Sequence, residues 1–219
     1  MTLALAPMAR ENITAGIYRQ LKRQLMTGAL QPGDALTLRA LSESLGVSQT
    51  PVREALLQLV SERALAMTPG KSVCVPVLDK EQLQDLRDIR LTLEVMATRR
   101  AVRNITDTEI RRLESLHAEM VGHKASESME GTLRANHEFH FVLYGASRMP
   151  DLLAIIEGLW AQTAPSLTYL YRTPFVHLEG VHPHVTLVEA LRRRDVNAAV
   201  AAVRHDVEGH GAAMMARIP

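Results

Sequence analysis

Two sets of side chains in this chain have the types and spacings that chemistry requires. One is imidazole: of nine histidines, His137, His140, His177, His182, His184, His205 and His210 all fall from residue 137 onward. Asn136 and His140 stand four apart, so a helix carries both on one face. His137 turns off that face. It opens no zinc-protease HExxH signature either, because in His137-Glu138-Phe139-His140 the second histidine arrives one residue early. For any single histidine, a scattered surface position is the plain alternative to membership of a cluster. Trp160, Tyr169 and Tyr171 either line a pocket or pack in the core. The other set is Gln49, Thr50 and Arg53: an amide, a hydroxyl and a guanidinium, which can read base edges or bond phosphate oxygens. No nucleophile elbow, glycine-rich phosphate loop or paired acid–base motif accompanies either set, so an enzyme is the remote reading.

The elements that position Gln49, Thr50 and Arg53 are written in residues 38–59, LRALSESLGVSQTPVREALLQL. Leu38, Leu41 and Leu45 recur at helical spacing. Gly46 stops that helix, since glycine enters the left-handed conformation without steric cost. Val47 fills the turn, Ser48 or Thr50 offers an N-cap oxygen, and Pro51 sits in the first turn of the next helix, where its missing N–H costs nothing. Val52, Ala55, Leu56 and Leu59 form the buried face of that helix. Its N-terminal end then turns Gln49, Thr50 and Arg53 outward, as a helix-turn-helix presents its recognition helix to a major groove. Upstream, Ile13, Ile17, Leu21 and Leu25 predict an amphipathic helix from Asn12 to about Thr27. Downstream, Ala64–Thr68 and Val73–Val75 about a turn at Pro69–Ser72 predict a hairpin, a wing with Lys71 at its tip.

Beyond Pro76–Lys80 the pattern is helical throughout. Asp79 caps a helix to about Arg103, with Leu83, Leu86, Ile89, Leu93 and Ala97 inward. Thr106 and Glu109 make a capping box for the second. Further helices are expected over about 126–146, 150–171, 174–193 and 195–217. Six antiparallel helices with short connections make a bundle. The fold class is mainly α: a winged helix-turn-helix over residues 1–78 and an all-α six-helix bundle over 79–219. Composition agrees, with 47% hydrophobic but only 4% aromatic residues, which demands an aliphatic core. The net charge of +1 means any nucleic-acid footprint is local. A single cysteine, Cys74, excludes an intrachain disulfide and a multi-cysteine zinc site, and reads as a small buried strand residue. No apolar run approaches the roughly 20 residues of a membrane span, and MTLALAPMAR is no signal peptide, so a cytoplasmic protein is expected.

The stretch from Ile17 to Val75 resembles the winged helix-turn-helix of GntR-family transcription factors, on GALQPGDAL, GVSQTPVREAL and TPGKSVCV. The second half is similar to the all-helical FCD effector domain of the FadR branch, on DLRDIRLTLE, NHEFH and HPHVTLVEALRRRD, with six helices pointing to the shorter VanR-like variant. The resemblance implies DNA contacts at Arg39, Ser48, Gln49, Thr50 and Arg53, with the wing at Gly70 and Lys71. Two positions depart from the family pattern. Gln49 stands where arginine is frequent, and Gln prefers adenine to guanine. Ser72 replaces the wing's second glycine.

In the bundle the resemblance implies a divalent metal held by Asn136, His140 and His184, with a last ligand at Asp206 where the family has histidine; His205 is the alternate and His210 lies one turn beyond. Zinc suits such oxygen and nitrogen donors, and nickel or manganese are possible. It also implies Arg90 beside the cavity as a clamp for a small carboxylate effector, against a plain ion pair with Glu94. The function expected is a metabolite-responsive regulator, a repressor by family habit, that binds a palindromic double-stranded DNA operator as a homodimer. The alternatives are a regulator whose bundle is metal-free or only dimerises and, remotely, a metal-dependent enzyme.

Overall fold

The computed structural model describes residues 13–68, 72–171 and 181–218. Helix α1 (Ile13–Met26) buries Ile17, Leu21, Leu25 and Met26. Helices α2 (Leu38–Leu45) and α3 (Gln49–Ser61) form the helix-turn-helix. Thr37 caps α2, and Gly46 closes it at φ 65°, the left-handed conformation expected there. Ser48 is the N-cap of α3, and Val52, Ala55, Leu56 and Leu59 are its buried face.

The wing is three-stranded. Strand β3 (Val73–Cys74) pairs antiparallel with β2 (Ala66–Met67), as expected, and with β1 (Ala35–Leu36), for which the sequence predicts no element. A two-residue strand carries no periodicity, so only its partner reveals it. Thr68 N–H donates to Ser72 O at 2.8 Å, closing the arch. The tip, with Gly70 and Lys71, lies outside the described residues. Cys74 is free and half-buried rather than buried.

Six α-helices follow among the described residues: α4 (Lys80–Asn104), α5 (Asp107–Ala125), α6 (Met129–Gly145), α7 (Pro150–Thr163), α8 (Pro183–Arg192) and α9 (Val196–Met215). Capping boxes at Asp79/Gln82 and Thr106/Glu109 start α4 and α5. Helix α7 stops at Thr163, and Ala164–Tyr171 continues as a 3-10 stretch instead of the α-helix expected to residue 171. Pro165 explains the change, since it lacks the N–H of an α-helical bond. Helix α8 begins at Pro183: Pro183 biases His182 to extended backbone, and His182 caps the helix; the start expected near Pro174 lies outside the described residues. His177 and the side chain of Tyr171 lie outside the described residues.

On α4 the expected inward face is partly wrong. Ile89 is 49% exposed, while Leu83, Arg90, Glu94, Ala97, Thr98 and Ala101 are buried. Hydrophobicity alone chose the wrong stripe because this face carries a salt bridge. One hydrophobic core runs from Ile17 and Leu56 through Ala97, Phe139 and Trp160 to Val203. Helix α1 packs against α3 on one side and against α7 on the other. Among the described residues no helix is long and apolar enough to cross a membrane.

Candidate DNA-reading surface and metal centre

At the N-terminal end of α3, Gln49, Thr50 and Arg53 are all exposed, and the Ser48 hydroxyl makes no cap bond, so it is free to bond elsewhere. Gln49 and Arg53, four apart, share a face. Arg53 forms no ion pair among the described residues; Glu43 is taken by Arg39 at 2.9 Å, and Glu54 accepts from Thr14 at 2.8 Å. Arg39 is thus tied within α2 but remains 83% exposed, where such a pair is weak.

The second site lies where α4, α6, α7, α8 and α9 converge. Helix α6 contributes His140, α8 His184 and α9 Asp206, each at least 95% buried. The ligand atoms of these three residues fall within 4.8 Å of one another. His140 Nε2 stands 3.1 Å from Asp206 Oδ2, and His184 Nε2 3.8 Å from Asp206 Oδ1. Asn136 lines the same cavity, with Arg87, Arg90, Trp160 and His210. The void measures about 50 Å³, room for roughly three to five waters at 10–15 Å³ each. His205 points away, exposed on the outer face of α9. The helix runs regularly through both residues, so the one-residue offset turns His205 out as it turns Asp206 in.

A hydrogen-bond chain orients the ring of His140. Glu94, fully buried, accepts from Arg90 Nε at 2.8 Å, Trp160 Nε1 at 2.8 Å and Tyr144 Oη at 2.7 Å. A hydroxyl has one proton, and Tyr144 gives it to Glu94; burial and Glu94 both push the phenol pKa up, so the proton stays. Toward His140 Nδ1, 3.1 Å away, Tyr144 can therefore only accept. Nδ1 carries the ring proton and Nε2 faces the Asp206 carboxylate. Two lone pairs cannot stand at that distance without a cation between or beside them, whether proton or metal.

Burial resists ionisation of Asp206, but His210, His140 and His184 hold its carboxyl well below the usual range. His210 Nδ1 lies 3.2 Å from Asp206 Oδ1, and Asp206 raises its pKa against the opposing effect of burial. Burial drives the pKa of His184 well down, so it is a neutral ring with a lone pair to give. That ring stacks on Phe139 at 3.7 Å, and neither of its nitrogens has a hydrogen-bond partner, while Asp206 Oδ1 has only the His210 contact. Buried donors and acceptors are rarely left so. A cation there would take one His184 nitrogen together with Asp206 Oδ1, so the donor set fits a divalent metal.

Arg90 also reaches Thr163 Oγ1 at 3.0 Å and lies 4.4 Å from the Trp160 ring. The Glu94 pair and the cavity position are therefore both present: two N–H groups are spent, and the guanidinium edge still borders the void. The Arg90–Glu94 pair expected from the i,i+4 spacing is present, whereas Tyr144 has no expected role; it stands four residues after His140, and that spacing is the signal available.

Two family matches divide the chain along the same line as the sites. Residues 13–75 match the gntR family of bacterial regulatory proteins, and residues 85–209 match the FCD domain. The chain belongs to the GntR family, in its FCD-bearing branch. It is 38% identical over 190 residues to the HTH-type transcriptional regulator McbR of Escherichia coli (strain K12), covering 86% of each chain. It is 32% identical over 170 residues to the Nta operon transcriptional regulator of Aminobacter aminovorans, covering 77% of this chain and 80% of that one. The solved structure of E. coli McbR/YncC superposes with a TM-score of 0.88 at 34% identity, covering 97% of this chain and all of that one. This GntR protein is thus a DNA-binding transcription regulator rather than an enzyme.

Proposed function

We propose that this GntR protein is a cytoplasmic repressor that binds a palindromic operator as a homodimer and lets go when a small carboxylate enters the bundle. Arg39, Ser48, Gln49, Thr50 and Arg53 contact DNA, with Gly70 and Lys71 of the wing. Asn136, His140, His184 and Asp206 hold a divalent ion, zinc first, with nickel or manganese as substitutes. Bound there, the ion supplies a Lewis-acid anchor for a carboxylate. Arg90, fixed by Glu94, Thr163 and Trp160, presents its remaining donors to the same carboxylate.

The observation that carries the reading is the buried cluster of His140, His184 and Asp206, with His184 unpartnered, beside a cavity that His140, Asp206 and Arg90 line. The size of the void favours an acid of few atoms. Effector binding would shift α6, α7 and α9 together, and α1, packed on α7, carries that shift to α3. Differential affinity of the two arrangements for DNA then follows by linkage. The exposed apolar stripe of Ile89 and Met96 on α4 supports a second copy as the partner.

The test is operator protection by the purified protein with single short carboxylic acids, with and without chelator. Protection of one palindrome, released by one acid only when metal is present, is the expected result. Release by none would remove the effector from the reading. A second reading is a metal-free bundle, favoured by His140 and Asp206, which at 3.1 Å form an acceptable pair around a proton alone. Metal-free protein with unchanged operator and effector affinity would select it.

A further inference from the structure

His184 belongs to a second group, made of imidazoles alone. His117 on α5, His182 at the cap of α8, and His184 have ligand atoms within 4.8 Å of one another. Ring centroids lie 5.2 Å apart for His117 and His182, 5.6 Å for His117 and His184, and 4.6 Å for His182 and His184. His117 Nδ1 and His182 Nε2 are buried without a hydrogen-bond partner, as are both nitrogens of His184. Three nitrogen-rich rings turned toward one another satisfy nothing between them. We propose that His117, His182 and His184 form a second seat for a borderline divalent cation, zinc or nickel, distinct from the Asp206 group and tying α5 to the start of α8.

The chemistry suits such an ion. Three neutral imidazoles with an open fourth position are a familiar zinc environment, and an all-nitrogen set excludes magnesium and calcium, which demand oxygen. Burial lowers the pKa of all three rings, that of His182 to about 4, so each offers a lone pair at neutral pH. Lys124, one face along α5 from His117, works against a cation there, while Asp206 works for it. One cost is explicit. His182 Nδ1 now accepts from His184 N–H at 3.2 Å, so ligation through Nε2 moves the ring proton to Nδ1 and gives up that long cap bond. An ion on each side at once would make His184 a bridging imidazolate; otherwise the two seats exclude each other.

The inference shares His184 with the proposed effector centre, so its test uses residues that belong to one group only. Full-length apo-protein is titrated with zinc against a competing chromophoric chelator, for wild type, His140→Ala, and His140→Ala combined with His117→Ala or with His182→Asn. Asn retains an N-cap oxygen, so the last combination removes the ligand nitrogen and keeps α8 capped. Circular dichroism checks each fold. The expected result is one zinc in His140→Ala, weakened at least 10-fold in both combinations. Loss of all zinc in His140→Ala overturns this seat and leaves the Asp206 site standing. Equal affinity in His140→Ala and the combinations overturns it too. No zinc on wild type removes both.

Discussion

Tyr144 Oη stands 3.1 Å from His140 Nδ1 while donating its only proton to Glu94. That bond decides which nitrogen of His140 is bare, and so the tyrosine orients a ligand it never replaces. Tyr144→Phe keeps the ring in its buried place and deletes the oxygen. Metal affinity should fall about 10–100-fold, the usual loss when an outer-shell partner of a ligating histidine is removed. Isothermal titration with zinc reads it directly. Unchanged affinity with an intact fold would show that His140 is not a ligand.

Glu94→Gln asks a harder question of the same chain. The glutamate accepts from Arg90, Trp160 and Tyr144 and is fully buried. Substitution leaves the guanidinium without its counter-charge, and breaking a buried pair from one side costs about 3–5 kcal/mol. Chemical denaturation should show a loss of that order, larger than for Tyr144→Phe. A loss under about 1 kcal/mol, the scale of an exposed pair, would mean that Arg90 is more hydrated than its surroundings imply.

The helix-turn-helix is legible because its information is local: Gly46 ends a helix, Ser48 stands at the start of the next although its hydroxyl makes no cap bond, and Val52, Ala55, Leu56 and Leu59 repeat every three or four residues. The six bundle helices were legible from the same periodicity and from the caps at Asp79 and Thr106. What failed was non-local. Strand β1 exists only because β3 lies beside it. Ile89 was assigned inward because apolar residues usually are, and the buried stripe of α4 instead carries Arg90 and Glu94. At the centre, His140, His184 and Asp206 do come together, yet their meeting was implied by resemblance rather than by spacing, since they lie on three helices. His182 stands out only as one of the clustered histidines and His117 not at all, because nothing local says that α5 and α8 meet.

Gln49 offers an amide at the exposed N-terminal end of α3. An amide pairs with the N6/N7 edge of adenine and a guanidinium with the O6/N7 edge of guanine, each worth about 1–3 kcal/mol of discrimination. Gln49→Arg should therefore move the selected base at one symmetric pair of operator positions from adenine to guanine, without altering the rest of the site. In vitro selection with both proteins checks this. Identical consensus sequences would place Gln49 off the bases.

Gly28 and Gly46 are both left-handed, at φ 68° and 65°, but their surroundings differ. A Cβ at Gly46 meets open space, while one at Gly28 would come within 2.6 Å of Leu133 Cδ1 and 3.5 Å of Thr168 Cγ2. Gly46→Ala should cost about 1–2 kcal/mol, the strain of the backbone alone. Gly28→Ala should cost more, because α1 ends there against α6 and the 3-10 stretch. Leu133→Val, which shortens the offending side chain, should recover part of the Gly28→Ala loss and none of the Gly46→Ala loss. Thermal melts of the four proteins separate the two cases, and equal penalties would mean that Leu133 swings aside freely.

His137 turns away from the Asp206 group, packs on Phe141 at a ring separation of 4.4 Å, and meets the Trp160 edge at 5.9 Å. Burial, with help from the charges of His140 and Arg23, lowers its pKa from 6.5 to about 4. Between those values the unfolded chain takes a proton that the folded chain refuses. Stability is therefore complete above about pH 6.5 and falls as the pH drops through this window. At pH 5 the loss from this one residue is about 2 kcal/mol, at 1.36 kcal/mol per pH unit. His137→Gln removes the titrating ring but keeps a side chain of similar length. Urea unfolding at pH 7.5 and pH 5 should show a difference smaller by about that amount in the variant. The other buried histidines leave some pH dependence in both proteins. An equal fall in wild type and variant would mean that His137 takes its proton as readily in the folded chain as in the unfolded one.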